Sequence, residues 1–186
     1  MRRSGPTVAL LTTAAMVTVA GCSSSHDVAA VPVVTSQRQQ QPGRPDPQRF
    51  LSVGPAAKSV RLTMLAALGS SNNGFNFDGY GRGELIAYVP KGWRVTVQCE
   101  NRGSQRASCA VVTGARSATI AFPGASVHSP LQGLSPGSKA QFSFDASHVG
   151  SFRIASLVPG QAEARMYAVL VVTPGGRPSI TARPGP

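Results

Sequence analysis

Residues 153–167 read RIASLVPGQAEARMY. An apolar, strand-like run meets Pro-Gly, a compact loop follows, and Met-Tyr opens a second apolar run. Ser156, Gln161 and Met166 recur at intervals of five residues, a spacing suited to bringing three side chains to one point. Their types offer little reactivity: a neutral hydroxyl, a neutral amide and a thioether. Ser156 is not in a G-x-S-x-G elbow, and no His and carboxylate stand in a recognisable order around it, which speaks against hydrolysis. Met166 is a soft donor, yet Met also fills irregular core gaps near loops, and packing is the expected role. His128 (VHSP) and His148 (ASHVG) lie among turn signals and read as exposed loop residues, while His26 sits in a Ser-rich stretch.

The cysteines carry more information. MRRSGPTVALLTTAAMVTVAGC has a basic start at Arg2 and Arg3 and an uncharged stretch from Val8 to Val19. That stretch is shorter than the roughly 20 apolar residues of a membrane span and fits a signal-peptide core. The small residues before Cys22 resemble a bacterial lipobox, so residues 1–21 are expected to be removed and Cys22 lipidated. The chain is then expected to be anchored by lipid to a cell membrane, facing the periplasm or extracytoplasmic side. Cys99 and Cys109 remain, ten residues apart, and an even pair in an oxidising compartment reads as a disulfide. Two thiols kept for a soft ion such as Cu(I) are the alternative.

Of the 18 basic side chains two lie in the leader, so 16 face 7 acidic ones and the net charge past residue 21 is +9. The charge is spread and mostly arginine. It favours an acidic protein partner or anionic headgroups. No aromatic-basic stacking pattern supports nucleic acid.

Residues 22–50 are rich in Ser, Gln and Pro and read as a flexible tether. Short strands are expected at 60–67, 84–90, 93–101, 107–112, 117–122, 139–146, 151–158 and 166–172, separated by Gly, Pro, Asn and Ser. No segment has a helical period. The expectation is one antiparallel sandwich or barrel over 51–174, with a loose tail at 175–186. In WRVTVQC, the alternation sets Trp93, Val95, Val97 and Cys99 on one face and turns Cys99 toward the core, with Cys109 on an adjacent antiparallel strand. The turn 70–83 holds Phe75, Phe77 and Tyr80, either a binding surface or, preferably, aromatic rings tucked into the sandwich end.

In series, GFNFDGYGRGELIAYVPKGWRVTVQCEN, AFPGAS (121–126), GLSPGSKAQFSF (133–144), GSFRIA and VPGQAEARMY resemble a sulfocyanin-type cupredoxin over about residues 58–173. The resemblance implies an all-β, cupredoxin-like Greek-key β-sandwich with a type 1 copper site for electron transfer. Such a site takes two imidazoles, a thiolate and a weak axial Met. The family loop Cys-x4-His-x4-Met maps onto Ser156, Gln161 and Met166, and the upstream His onto Ala107 or Cys109. One of four ligands survives, and Arg165 stands where a small Gly would flank Met166. By that resemblance the site is degenerate: no cofactor is expected, no metal, and no enzymatic activity. Copper held by Cys99, Cys109 and Met166, or a retained electron-transfer centre, are the alternatives.

Overall fold

In a computed structural model of the chain, residues 43–114 and 117–184 are described. The leader, Cys22 and His26 lie outside them. The described residues form one compact unit. Nine strands build it: β1 (Leu51–Gly54), β2 (Ser59–Ala66), β3 (Leu85–Pro90), β4 (Arg94–Asn101), β5 (Ala110–Val112), β6 (Lys139–Asp145), β7 (Gly150–Ala155), β8 (Tyr167–Thr173) and β9 (Ser179–Ala182). They form two sheets, ordered β1-β2-β4-β6 and β5-β7-β8-β3-β9.

Alternation decides which residues face inward. Val60, Leu62, Met64 and Ala66 on β2, Val95, Val97 and Cys99 on β4, and Phe142 and Phe144 on β6 are buried. They meet Ala87 and Val89 of β3, Phe152 and Ile154 of β7, and Ala168, Leu170 and Val172 of β8 in one apolar core. Arg61 and Arg94, one residue out of phase, are exposed.

The structure differs from the sequence reading in five places. The sandwich is mixed, because β2 runs parallel to β4 and β3 parallel to β8. Residues 117–122 are not a strand. Ile120 makes a single bridge to Val112, and Phe122 instead plugs one end of the core against Phe144 at 5.0 Å and Phe152 at 4.8 Å. The tail 175–186 is not loose throughout: Ser179–Ala182 add to the free edge of β3 and Ile180 is buried. Low apolar content misled here, since an edge strand is held mainly by backbone hydrogen bonds. The unit also begins before residue 51. Arg44 pairs with Glu84 at 2.9 Å, Tyr80 donates its hydroxyl to the Pro45 carbonyl at 2.6 Å, and Phe50 is buried, so the tether segment is packed from residue 44 onward. Finally, Cys99 and Cys109 form a disulfide with a Cα separation of 6.0 Å that joins the two sheets, β4 to the residue before β5, rather than neighbouring strands.

The turn between β2 and β3 is pinned by Asp78. Its backbone N–H donates to the Leu65 carbonyl at 2.8 Å, and its Oδ1 accepts the Leu65 N–H at 2.8 Å. The carboxyl is fully buried and Oδ2 has no hydrogen-bond partner. Burial holds its pKa well above the usual carboxylate range, against the opposing effect of the Leu65 bond. The folded state therefore binds this proton more tightly than the unfolded chain does. The stability that Asp78 contributes is present below the ordinary carboxylate pKa and is lost as pH rises through the raised one. Asp78→Asn keeps the Leu65 bond and tolerates the left-handed backbone at φ 58. Urea unfolding between about pH 4 and pH 7 should show a smaller loss of stability for Asp78→Asn than for the parent chain. Parallel pH profiles would refute the assignment.

Candidate functional site

Three loops meet at one end of the sandwich. The β7–β8 loop carries Ser156, Gln161 and Met166; the segment before β5 carries Ala107 and Ser108; the turns 67–75 and 101–106 close the sides. Each is tied down by backbone polar groups. The Ser156 N–H donates to the Met166 carbonyl at 3.3 Å, the Met166 N–H to the Gln161 carbonyl at 3.0 Å, and the Gln161 N–H to the Val158 carbonyl at 3.1 Å. The loop is thus folded back on itself, with Gln161 and Met166 lining one cavity and Ser156 and Met166 another. On the facing segment, Ala107 exchanges two backbone bonds with Leu134, at 3.2 and 2.7 Å. Buried Asn101 at the end of β4 donates to the Gln105 and Leu134 carbonyls at 2.7 and 2.9 Å, fixing the connection that leads to Ala107.

Ser156 is fully buried. Its Oγ accepts the Ser108 N–H at 3.0 Å and lies 3.3 Å from the Ser108 hydroxyl oxygen, which itself accepts the Leu157 N–H at 2.9 Å. Gln161 donates from Nε2 to the Arg106 carbonyl at 2.6 Å, while its buried Oε1 has no hydrogen-bond partner. Met166 is buried in the main core. Ala107, Gln161 and Met166 line one cavity of about 240 Å³. Of the two upstream positions, Ala107 lines this cavity and Cys109 is committed to the disulfide. Arg165 is exposed and does not line this cavity.

Residues 47–176 match the sulfocyanin (SoxE) domain. The chain belongs to the sulfocyanin family. Its sandwich is the cupredoxin-like Greek key that the family implies. Among solved structures, it resembles reduced auracyanin from Roseiflexus castenholzii at 18% identity, over 61% of this chain and 97% of that one, with TM-score 0.46. A rusticyanin variant matches at 16% identity, over 67% and 87%, with TM-score 0.46. A blue copper oxidase from Nitrosomonas europaea matches at 18% identity and TM-score 0.49, over 63% of this chain but 39% of that one. No curated protein matches in sequence.

The residues that this sulfocyanin domain presents do not fit a type 1 copper ion. Copper of that kind needs a thiolate and two imidazoles around it. Here a buried hydroxyl, a methyl group and an amide stand at those positions, and the hydroxyl and amide already bind the chain's own backbone. Among the described residues no group of three His, Cys, Asp or Glu could hold a metal ion. The two thiols that a Cu(I) site would use are joined to each other. His128 and His148 are both exposed, and the His148 ring rests on Phe122 at 4.6 Å.

Phe77 and Tyr80 are buried, and Phe75 packs partly against the core, so the aromatic turn serves the interior. The residue that sequence reasoning missed is Ser108. Strand alternation between buried Ala107 and Cys109 would turn it outward, yet it is fully buried. Nothing in the local pattern marks it, because its partner Ser156 lies 48 residues away.

Proposed function

We propose that this sulfocyanin-family protein is a lipid-anchored, extracytoplasmic accessory protein whose domain acts as a non-enzymatic binding scaffold and not as a copper electron carrier. The observation that carries this is the replacement of the ligand set by Ala107, Ser156 and Gln161, with the hydroxyl and the amide engaged internally. A site whose affinity depends on four ligands acting together loses it when three are gone. The lipobox-like ending at Cys22 supports anchoring, and the +9 charge beyond residue 21 suits an anionic membrane surface or an acidic partner.

The soluble chain lacking residues 1–22, dialysed against Cu(II) and then against buffer, is expected to be colourless and to retain no stoichiometric copper by metal analysis. A blue protein, or one copper per chain, would overturn the reading.

A further inference from the structure

Gln161 and Met166 share the wall of the cavity of about 240 Å³ with Ala67, Phe75, Arg106 and Ala107. That is far more room than the roughly 10–15 Å³ in which one water is held. A thioether, a phenyl ring and two methyl groups make much of the wall apolar. Gln161 is the buried polar side chain in it, 5% exposed. Its Nε2 donates to the Arg106 carbonyl at 2.6 Å. Exchanging the two ends of the amide would set oxygen against oxygen there, so this bond fixes which end is which. The remaining end, Oε1, is shielded from bulk water and has no hydrogen-bond partner.

A buried acceptor left unpaired is costly, and most such groups in folded proteins have a partner. Four kinds of occupant present themselves. An anion would be repelled by Oε1, and the Arg106 guanidinium is engaged elsewhere, donating from Nη1 to the Gly133 carbonyl at 2.9 Å. A cation would find no carboxylate among the described residues of the wall, and would have Arg106 as a neighbour. A hydrocarbon would cover Phe75 and Met166 but leave Oε1 unpaired. A neutral molecule with a donor at one end and a short apolar body satisfies both parts of the wall.

We infer that this cavity binds such a molecule, or the end of a larger one: a primary alcohol or a carboxamide on a short apolar chain. The O–H or N–H donates to Gln161 Oε1, and the chain lies against Met166, Phe75 and Ala107. The inference names a ligand class for the scaffold reading above and rests on it, since a metal held at these positions would take the same space.

The test is an amide NMR titration of the soluble chain lacking residues 1–22 at fixed ionic strength. The probes are butan-1-ol, its isomer diethyl ether, butyrate and butylammonium, which share size and differ in charge and in the donor. Butan-1-ol is expected to give saturable shifts at Ala107, Met166, residues 73–75 and the Gln161 side-chain amide. It should bind about tenfold tighter than diethyl ether, as expected when a buried acceptor gains its partner. Butyrate and butylammonium should both bind more weakly than the alcohol. Gln161→Met removes the oxygen at nearly constant length. Any general loosening affects both neutral probes alike, so the alcohol-to-ether ratio reports the oxygen itself and should fall to about one; the same spectra show whether the variant is folded. No saturable shift, equal binding of alcohol and ether by the parent chain, tighter binding of either ion, or an unchanged ratio in Gln161→Met would each overturn the inference. Stoichiometric copper uptake by the parent chain, measured on a separate sample, would overturn the scaffold reading instead.

Discussion

The triple variant Ala107→His/Ser156→Cys/Gln161→His is expected to bind one Cu(II) per chain and turn deep blue, where the parent chain stays colourless. The scaffold for this is already in place. Ala107, Gln161 and Met166 line one cavity, so an imidazole at 107 has space to enter that alanine leaves open. The Ser108 N–H that now donates to the Ser156 Oγ at 3.0 Å would donate to a sulfur at that position and favour its thiolate form. Replacing Gln161 removes a buried carbonyl oxygen that has no partner, a group that costs about 1–3 kcal/mol where it stands. Met166 supplies the weak axial donor unchanged. The effect should be steeply non-additive, because the geometry that selects copper needs thiolate and both imidazoles at once. Ser156→Cys/Gln161→His alone should therefore bind weakly and show little colour. Adding Arg165→Gly to the triple variant should tighten binding further, by removing a cation beside the Met and the left-handed strain with it. Absorbance and metal content on folded protein check all of this. A folded, colourless triple variant would mean that the loop has changed in geometry as well as in residue types.

How much of this was legible beforehand depends on the kind of force at each place. β2 and β4 could be read directly, because Val60, Leu62, Met64 and Val95, Val97, Cys99 alternate with polar residues and one face is buried. β9 could not. Ile180 is its one buried side chain, and what places it is pairing with the free edge of β3, a property of the assembled sheet. Residues 117–122 failed for the opposite reason: their apolar content is real, but Phe122 spends it on capping the core between Phe144 and Phe152. At the site, the spacing of Ser156, Gln161 and Met166 could be read along the chain, whereas the different surroundings of Ala107, on the cavity wall, and Cys109, in the disulfide, come only with the fold. Ser108 was invisible, since a hydrogen bond to a residue 48 positions away leaves no local trace. The packed N-terminal segment was hidden in the same way. Arg44, Pro45 and Gln48 are held by Glu84, Tyr80 and Ile180, distant in sequence and unremarkable in composition.

Loss of the Cys99–Cys109 bridge is expected to be the most costly single covalent change in the domain. It closes a loop with a sequence separation of 10, for which unfolded-chain entropy alone gives about 3 kcal/mol within a usual range of 2–4 kcal/mol. Against a total stability of roughly 5–15 kcal/mol for a domain of this kind, that is a large share. The choice of variant matters, because both sulfurs belong to residues within the apolar core. Cys99→Ser would leave a buried hydroxyl there in addition to losing the bridge, and should cost more than the double variant Cys99→Ala/Cys109→Ala, by about 1–3 kcal/mol for an unsatisfied hydroxyl. Urea midpoints at constant m value measure both. The consequence for function follows from position. Cys109 is two residues beyond Ala107 and joins that segment to Cys99 on β4, between Met64 of β2 and Ala140 of β6. Without the clamp, the segment keeps the backbone bonds between Ala107 and Leu134 and the one from the Val127 N–H to the Cys109 carbonyl but loses its covalent tie to β4. Amide exchange at Ser108 and Leu157, the two N–H groups bound within the serine pair, should therefore accelerate more than exchange at the centre of β8. Equal stability of the parent and the Ala/Ala variant would show that the bridge contributes nothing. Uniform acceleration of exchange would show that it stabilises the whole domain without specifically holding the site.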